Sequence, residues 1–318
     1  MATENSIMNA FFSGVNSILA GVRYSKLREA IESRNYDEAV RAIDVDNAAF
    51  DKLRALLVET YASGGVDAIT GTRWPVNVRW DSATPQAEYY ARNVVAEHIN
   101  KIAEDIKSSI QWTIGDGVAF GRSNNKIALD IVGKMGKSGK REGGIVGLNK
   151  NQTEWVANAR KYLESGKYSS WEKLGLRDRR YKFSQENPPT KEQIDRAVQS
   201  YSNKLLKSRG LMIAKTERGL AVNMGTIEGY RQAADKVGIP LSVLIKEWMH
   251  NGFHKHERIN HLIANGQKVV GLNTPFNIGG YYPQHPHDVN LPASETINCS
   301  CRVRVRVPKN WRSYVGQK

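Results

Sequence analysis

Two cysteines separated by one residue lie near the end of the chain, and they are its only cysteines. They stand in the stretch INCSCRVRVRV, which follows a segment rich in histidine. Thiolates and imidazoles are the usual ligands of a structural Zn²⁺, which takes four of them in a tetrahedron. Cys299 and Cys301, together with His261, His285 and His287, supply more than the four ligands that a structural zinc site needs.

The same cysteines also fit a structure without metal. C-x-C is not the common C-x₂₋₄-C spacing of zinc sites, and a buried free cysteine packs as a small hydrophobic side chain. Two cysteines in 318 residues make no disulfide framework, and neighbours so close in sequence pair poorly with each other. The sequence leaves packing and zinc binding as alternatives, and it predicts synthesis in a reducing cytoplasm.

The second chemical feature is an excess of positive charge. Forty-six Lys and Arg against 32 Asp and Glu give a formal net charge of +14. This favours a polyanion as partner, with nucleic acid first and an anionic membrane surface second. The predicted DNA contacts lie in three basic clusters: Lys137, Lys140 and Arg141; Arg177, Arg179 and Arg180; Arg302, Arg304 and Arg306.

Each basic cluster has its own sequence context. The first lies in a Gly- and Lys-rich loop that lacks the spacing of a nucleotide-binding P-loop, because Arg141 follows Gly139 and Lys140. The second, LRDRRYKF, contains two aromatic residues that either stack on bases or belong to a core. The third alternates Arg with Val, so a strand would place its arginines on one face.

Hydrophobic periodicity predicts a mostly helical body. The helical patterns cover 5–22, two segments within 25–62, 84–119, a segment capped by Ser123, 150–166, and 190–236. Thr190 and Gln193 form a capping box at the start of the last helix. The stretch SGGVDAITGTRWPVNVRWD, which begins at Ser63, is predicted to interrupt helix, since it combines several glycines with a proline.

The pattern changes after Gly238. Turn-forming residues become frequent, and strands are predicted over 243–248 and 302–307. The predicted fold class is α+β, with a mostly α-helical N-terminal body and a small β-rich, loop-rich C-terminal module. The predicted domains are an N-terminal helical region, 1–72, a central helical body, 73–238, and the C-terminal module, 239–318.

Targeting signals are not found in the sequence. No run of about 18 apolar residues is present, so no stable membrane span is predicted. The first residues, MATENSIMNAFF, have neither the basic region nor the cleavage site of a secretory signal.

Several motifs occur in a fixed order along residues 40–307. They comprise a helix ending in A-K-T-E, a strand with Trp, R-x-x-H, a Pro-Phe turn, Y-P and N-C-x-C. In order and spacing they resemble the phage Mu F-like head morphogenesis family, also called minor head proteins. The residues that carry the resemblance are Arg209, Thr216, Glu217, Trp248, Arg258, His261, Pro275, Phe276, Tyr282, Pro283, Asn298, Cys299 and Cys301.

The resemblance implies a non-enzymatic, low-copy virion component inside the head near the portal vertex, made in the host cytoplasm. It implies a role in procapsid assembly and in DNA retention or ejection. It also places His261 of R-x-x-H near N-C-x-C, so a zinc ion would take Cys299, Cys301, His261 and then His287 as ligands. The implied partners are the portal protein, the major capsid or scaffolding protein, and packaged double-stranded DNA. One departure concerns an Asp that members often carry before R-x-x-H, where this chain has HNGFHKHER; His254, His256 or Glu257 replaces that Asp or has no role.

The alternative function is a DNA-acting, metal-dependent nuclease or toxin effector. The stretch HKHERINH resembles the histidine-rich turns of metal-dependent nucleases, but an ordered spacing for a general-base histidine is missing. A Cys–His pair for acyl transfer also lacks an identified third residue to orient it. The sequence therefore predicts no catalytic residues and no enzymatic activity.

Overall fold

Helices make up most of the chain, which confirms the predicted fold class. The computed structural model describes residues 1–136, 139–252 and 257–315. Within these residues, no helix is both long and apolar enough to cross a bilayer. The α-helices are α1 Glu4–Ala20, α2 Tyr24–Glu32, α3 Tyr36–Ile43, α4 Asp51–Thr70, α5 Pro85–Tyr89, α6 Val95–Ala119, α7 Asn124–Val132, α8 Lys150–Glu164, α9 Tyr168–Glu172, α10 Lys191–Val237, α11 Ile259–Ala264 and α12 Ala293–Thr296.

Capping residues set several helix starts where the sequence predicts them. The Ser123 hydroxyl accepts a hydrogen bond from the Lys126 amide at the start of α7. Thr190 and Gln193 satisfy each other's backbone amides at 3.3 and 2.7 Å, which confirms the capping box of α10. A π-helical turn, Tyr90–Val94, joins α5 to α6, so the helical pattern over 84–119 is interrupted once.

The prediction that helix ends near Ser63 is wrong. α4 continues to Thr70 through Gly64 and Gly65. A Cβ on Gly64 would lie 2.9 Å from the Val222 carbonyl oxygen of α10, and one on Gly65 would overlap the Trp80 ring. Close packing against α10 and Trp80 therefore offsets the roughly 1 kcal/mol of helix propensity that each glycine costs.

The β structure consists of two small antiparallel sheets in the described residues. The strands are β1 Lys134–Met135, β2 Arg141–Glu142, β3 Ile245–Met249, β4 Lys268–Val270 and β5 Arg302–Arg306. β1 pairs with β2, and β3 lies between β4 and β5. β3 and β5 confirm the two predicted strands, and their register places Glu247 opposite Arg304 and Trp248 opposite Val303.

The chain forms two compact units, each assembled from separate segments. Unit 1 comprises Met1–Asn9, Leu53–Ala96 and Leu211–Lys318, and unit 2 comprises Ala10–Lys52 and Glu97–Gly210. The core of unit 1 contains Trp248 and Phe276, whose rings lie 5.4 Å apart. In unit 2, Phe11 stacks on Phe50 at 6.1 Å. The chain-order domains 1–72, 73–238 and 239–318 stay a prediction.

Candidate metal centre

Three short elements of unit 1 bring a cluster of sulfur and imidazole groups together. β3 ends next to His250, α11 carries His261, and the turn after α12 leads into Cys299 and Cys301. The Gly266 amide donates to the Trp248 carbonyl at 2.8 Å, which holds the end of α11 beside the end of β3. Residues far apart in sequence are thus positioned around one point.

The His261 nitrogen lies at the separation from each sulfur that tetrahedral zinc requires. Nδ1 of His261 lies 3.5 Å from Sγ of Cys299 and 3.4 Å from Sγ of Cys301, and the three atoms lie within 4.8 Å of one another. Zn–S and Zn–N bonds of about 2.3 and 2.0–2.1 Å at a tetrahedral angle place the S and N ligands about 3.6 Å apart. The cluster therefore fits a metal with little rearrangement.

The two free thiols are unequal. A hydrogen bond from the Cys301 thiol holds the pKa of Cys299 far below its ordinary value, with His261 and His287 acting in the same direction. The same hydrogen bond, together with burial, raises the pKa of Cys301 well above its ordinary value. The surroundings therefore favour the thiolate form of Cys299 over that of Cys301, and metal binding requires both thiols to lose their protons.

Burial and a neighbouring carboxylate favour a structural role for the cluster. His261, Cys299 and Cys301 are at most 3% exposed. Nε2 of His261 lies 2.9 Å from Oε2 of Glu295, close enough for an ion pair although the angle is not that of a hydrogen bond. A carboxylate behind a ligating histidine orients the ring and raises its basicity.

One face of α10 holds the loops that carry these donors. Thr216, Gly219 and Asn223 recur at i, i+3 and i+7, so they lie on the same side of the helix. The Thr216 hydroxyl accepts from the Asn298 amide at 3.1 Å. Asn298 has a φ of 58°, a left-handed conformation that asparagine adopts more readily than most residues. α10 thereby helps to fix the turn that leads into Cys299.

Asn223 makes the central contacts of this face. Its amide nitrogen donates to the carbonyls of Pro286 and Cys301 at 3.1 and 3.3 Å, and its oxygen accepts from the Val303 amide at 2.9 Å. Asn223 is 1% exposed, so no solvent replaces these partners. A single side chain thus joins the histidine loop to the start of β5.

The loop that carries His287 is anchored separately. The buried Lys246 ammonium donates to the Gln284 carbonyl at 2.9 Å, and burial lowers its pKa to about 8. His287 itself is 3% exposed, has a φ of 68°, and its two ring nitrogens make no hydrogen bond within the described residues. Its Nε2 edge lies against Gly219, where a Cβ would overlap the ring.

Several of the motif residues lie at this centre, whereas others, among them Arg209 and Glu217, lie elsewhere. Trp248 packs edge to face on the His261 ring at 5.5 Å, and the Arg258 guanidinium donates to the carbonyls of Ser294 and Ile297. Arg209 is buried in unit 2, where it donates to Asp105 at 2.9 Å. Glu217 is half-buried on α10.

The predicted DNA-contact residues differ in how free their charges are. In unit 2, Arg179, Arg180 and Lys140 are exposed, whereas Arg141 and Arg177 are half-buried. Arg180 pairs with the buried Asp178 at 2.7 Å, and the Arg141 guanidinium lies over the Tyr24 ring. Lys137 lies outside the described residues, as do His254 and His256.

The arginines of β5 alternate as predicted, but two of them have a partner. Arg304 and Arg306 lie 3.6 and 3.1 Å from the same oxygen of Glu247 on β3. Arg302 is half-buried. The strand therefore offers less unpaired charge than its sequence indicates.

Three residues of the centre were missed by sequence reasoning: His250, Glu295 and Asn223. His250 follows a strand that contains Trp248, and Glu295 lies four residues before Cys299, so their proximity to known motifs was the available signal. Asn223 lies within a helical pattern, where a polar residue gives no sign of its partners. Comparison of the chain with protein-family models, curated proteins and solved structures found no match.

Replacing Asn223 with alanine is expected to lower the free energy of unfolding by roughly 1–3 kcal/mol, since buried backbone groups lose their partners. Urea denaturation measures the loss, and amide hydrogen exchange should show faster exchange at Val303. Asn203→Ala is the matched control, because Asn203 is exposed on the same helix. Equal stability of the two variants would contradict the role assigned to Asn223.

Proposed function

We propose that this chain is a phage minor head protein, a low-copy internal virion component near the portal vertex. It acts without catalysis in procapsid assembly and in DNA retention or ejection. It binds the portal protein and the major capsid or scaffolding protein, and it contacts packaged double-stranded DNA without sequence preference. The host cytoplasm is its site of synthesis.

The observation that carries this proposal is the convergence of separate motif residues on one centre. Thr216, Trp248, Arg258 and His261 come from different segments, yet each contacts another residue of the motif set or the loop that carries the cysteines. A set of residues that resembles one family in order and spacing thus has a common structural purpose. This favours a shared fold over a chance likeness.

The proposal includes one structural zinc ion held by His261, Cys299 and Cys301. The separations of their donor atoms, their burial and the carboxylate of Glu295 support it. A small loop-rich module gains folding free energy from such an ion because its own core is limited. Packing of two small side chains without metal is the alternative.

DNA contact is proposed mainly for the exposed cations of unit 2. Within the described part of the chain, Arg179 and Lys182 are exposed and no ion pair involves either of them. Arg304 and Arg306 share Glu247. Unpaired surface charges release more counterions when they meet phosphate, so the first pair should dominate binding.

Quantitative mass spectrometry of purified phage particles tests the proposed location. The chain is expected at a few copies per particle, far below the major capsid protein. Particles made without the chain should show defects in head assembly or DNA delivery. Full assembly and infectivity of such particles, or absence of the chain from wild-type particles, would count against the proposal.

Metal analysis of the purified protein should give about one zinc per chain, and a chelator should selectively unfold residues 240–307, because binding free energy is folding free energy here. His261→Ala should lose the zinc, whereas His98→Ala in unit 2 should keep it. Hydrogen exchange locates the unfolding. If the chelator changes nothing and no zinc is found, the cysteines only pack.

DNA affinity should fall steeply as salt rises, and similarly for all sequences. Replacing Arg179 and Lys182 with glutamine should lower the slope of log K against log salt by about 1 per residue. Arg304→Gln with Arg306→Gln is the matched control and should lower it less. The measurement is a salt titration by fluorescence anisotropy, and a flat response in the wild type would exclude the DNA contact.

A further inference from the structure

We propose that His250 is the fourth zinc ligand and completes a site of two thiolates and two imidazoles. This inference rests on the proposed zinc site, and it replaces His287, which sequence reasoning assigned to that position. The argument depends on three comparisons: with His261, which is already assigned as a ligand, and with His287 and solvent, which could also fill the fourth position.

The first comparison is with His261. Nδ1 of His250 lies 3.5 Å from Sγ of Cys301, and Nδ1 of His261 lies 3.4 Å from the same sulfur. Both distances are close to the roughly 3.6 Å separation of sulfur and nitrogen ligands on tetrahedral zinc. Both imidazoles therefore approach Cys301 as two ligands of one ion would.

The similarity extends to the opposite side of each ring. Nε2 of His261 faces Glu295 at 2.9 Å, and Nε2 of His250 faces Glu257 at 3.6 Å. Ligating histidines usually direct their second nitrogen to a carboxylate, carbonyl or water. His250 thus has a thiol on one side and a carboxylate on the other, which is the arrangement of a zinc ligand.

A hydrogen bond from its backbone amide also holds His250 in place. Its amide donates to the side chain of Asn265, the residue that follows α11, at 2.9 Å. Its side chain is 12% exposed. Nδ1 of His250 does not belong to the set of atoms that lie within 4.8 Å of one another, so metal binding would draw its ring toward Cys299 and His261.

The second comparison is with His287. His287 lies near the thiol of Cys299 and lowers its pKa, but neither of its ring nitrogens meets the geometry of a hydrogen bond with a described residue, whereas Nδ1 of His250 lies 3.5 Å from Sγ of Cys301. The edge of the His287 ring that carries Nε2 is covered by Gly219 of α10. His287 therefore turns its Nε2 edge toward α10, whereas His250 turns Nδ1 toward Cys301.

The third comparison is with solvent. A cavity of about 570 Å³ lies beside the cluster, lined in part by His250, His261 and both cysteines, although His261 and the cysteines are at most 3% exposed. Catalytic zinc sites keep a water in the fourth position, whereas structural sites are closed by four protein ligands. Closure by His250 makes this a structural site and joins the end of β3 to the start of β5.

The test is titration of metal-free, full-length protein with Co²⁺, followed by Zn²⁺ in competition with a chelating dye. His250→Ala should lower zinc affinity by roughly 100-fold or more. Removing a residue that only orients a ligand lowers metal affinity by about 10–100-fold. His250→Ala should also shift the visible absorption of tetrahedral Co²⁺. His287→Ala is the matched control and should keep both the affinity and the spectrum.

His250→Cys gives a second readout that does not depend on loss of binding. It should keep tight binding and raise the thiolate-to-cobalt charge-transfer absorption from that of two thiolates to that of three. His287→Cys should leave this absorption unchanged. If the alanine variant at position 250 fails to fold, the cysteine variant still reports whether position 250 reaches the metal.

The outcomes separate the inference from the zinc proposal. If the wild type binds one metal and the effects appear at position 287, His287 is the ligand and the inference is wrong. If the wild type binds metal and neither position has an effect, solvent fills the fourth position and the inference is also wrong. If the wild type binds neither Co²⁺ nor Zn²⁺, the zinc proposal fails and the inference fails with it.

Discussion

The C-terminal part of unit 1 depends on the hydrogen bonds that Asn223 makes with backbone groups of two separate segments. Buried carbonyl and amide groups require partners, and Pro286, Cys301 and Val303 find theirs in one side chain. These contacts require α10 to lie close to the loops. Glycine at position 219 permits this approach, because a Cβ there would overlap the His287 ring. The cysteine cluster is therefore positioned by a helix that supplies none of its donor atoms.

The buried cluster raises an electrostatic question that the proposed zinc ion answers. A low-dielectric site disfavours unpaired charge, yet hydrogen bonds lower the pKa of Cys299, which favours a charged thiolate beside the imidazoles and the Glu295 carboxylate. With two thiolates, one divalent cation gives a neutral set, and the carboxylates of Glu295 and Glu257 orient the histidines from behind. Zinc binding and stability of the loop-rich module are in this view the same free energy.

The basic side chains differ in whether a neighbouring carboxylate pairs with them. The arginines of β5 lie on one face because strand geometry alternates side chains, but β3 brings Glu247 within 3.6 Å of Arg304 and 3.1 Å of Arg306. Arg179 and Lys182 are exposed without such a partner in the described residues. A polyanionic partner is the proposal that the net charge favours, and local pairing decides which cations would be available to it.

The sequence by itself determined the mostly helical class, the capping box of α10, the two main strands and the group of His261, Cys299 and Cys301. Periodicity, capping and residue type are local signals, so one chain suffices to find them. Only the tertiary structure decided that α4 continues through Gly64 and Gly65, that Asn223 holds the loops, and that His250 approaches Cys301 while Glu247 pairs with the β5 arginines. These features arise from contacts between segments distant in the chain. Such contacts leave no local sequence pattern, because the role of each residue depends on which distant residue packs against it.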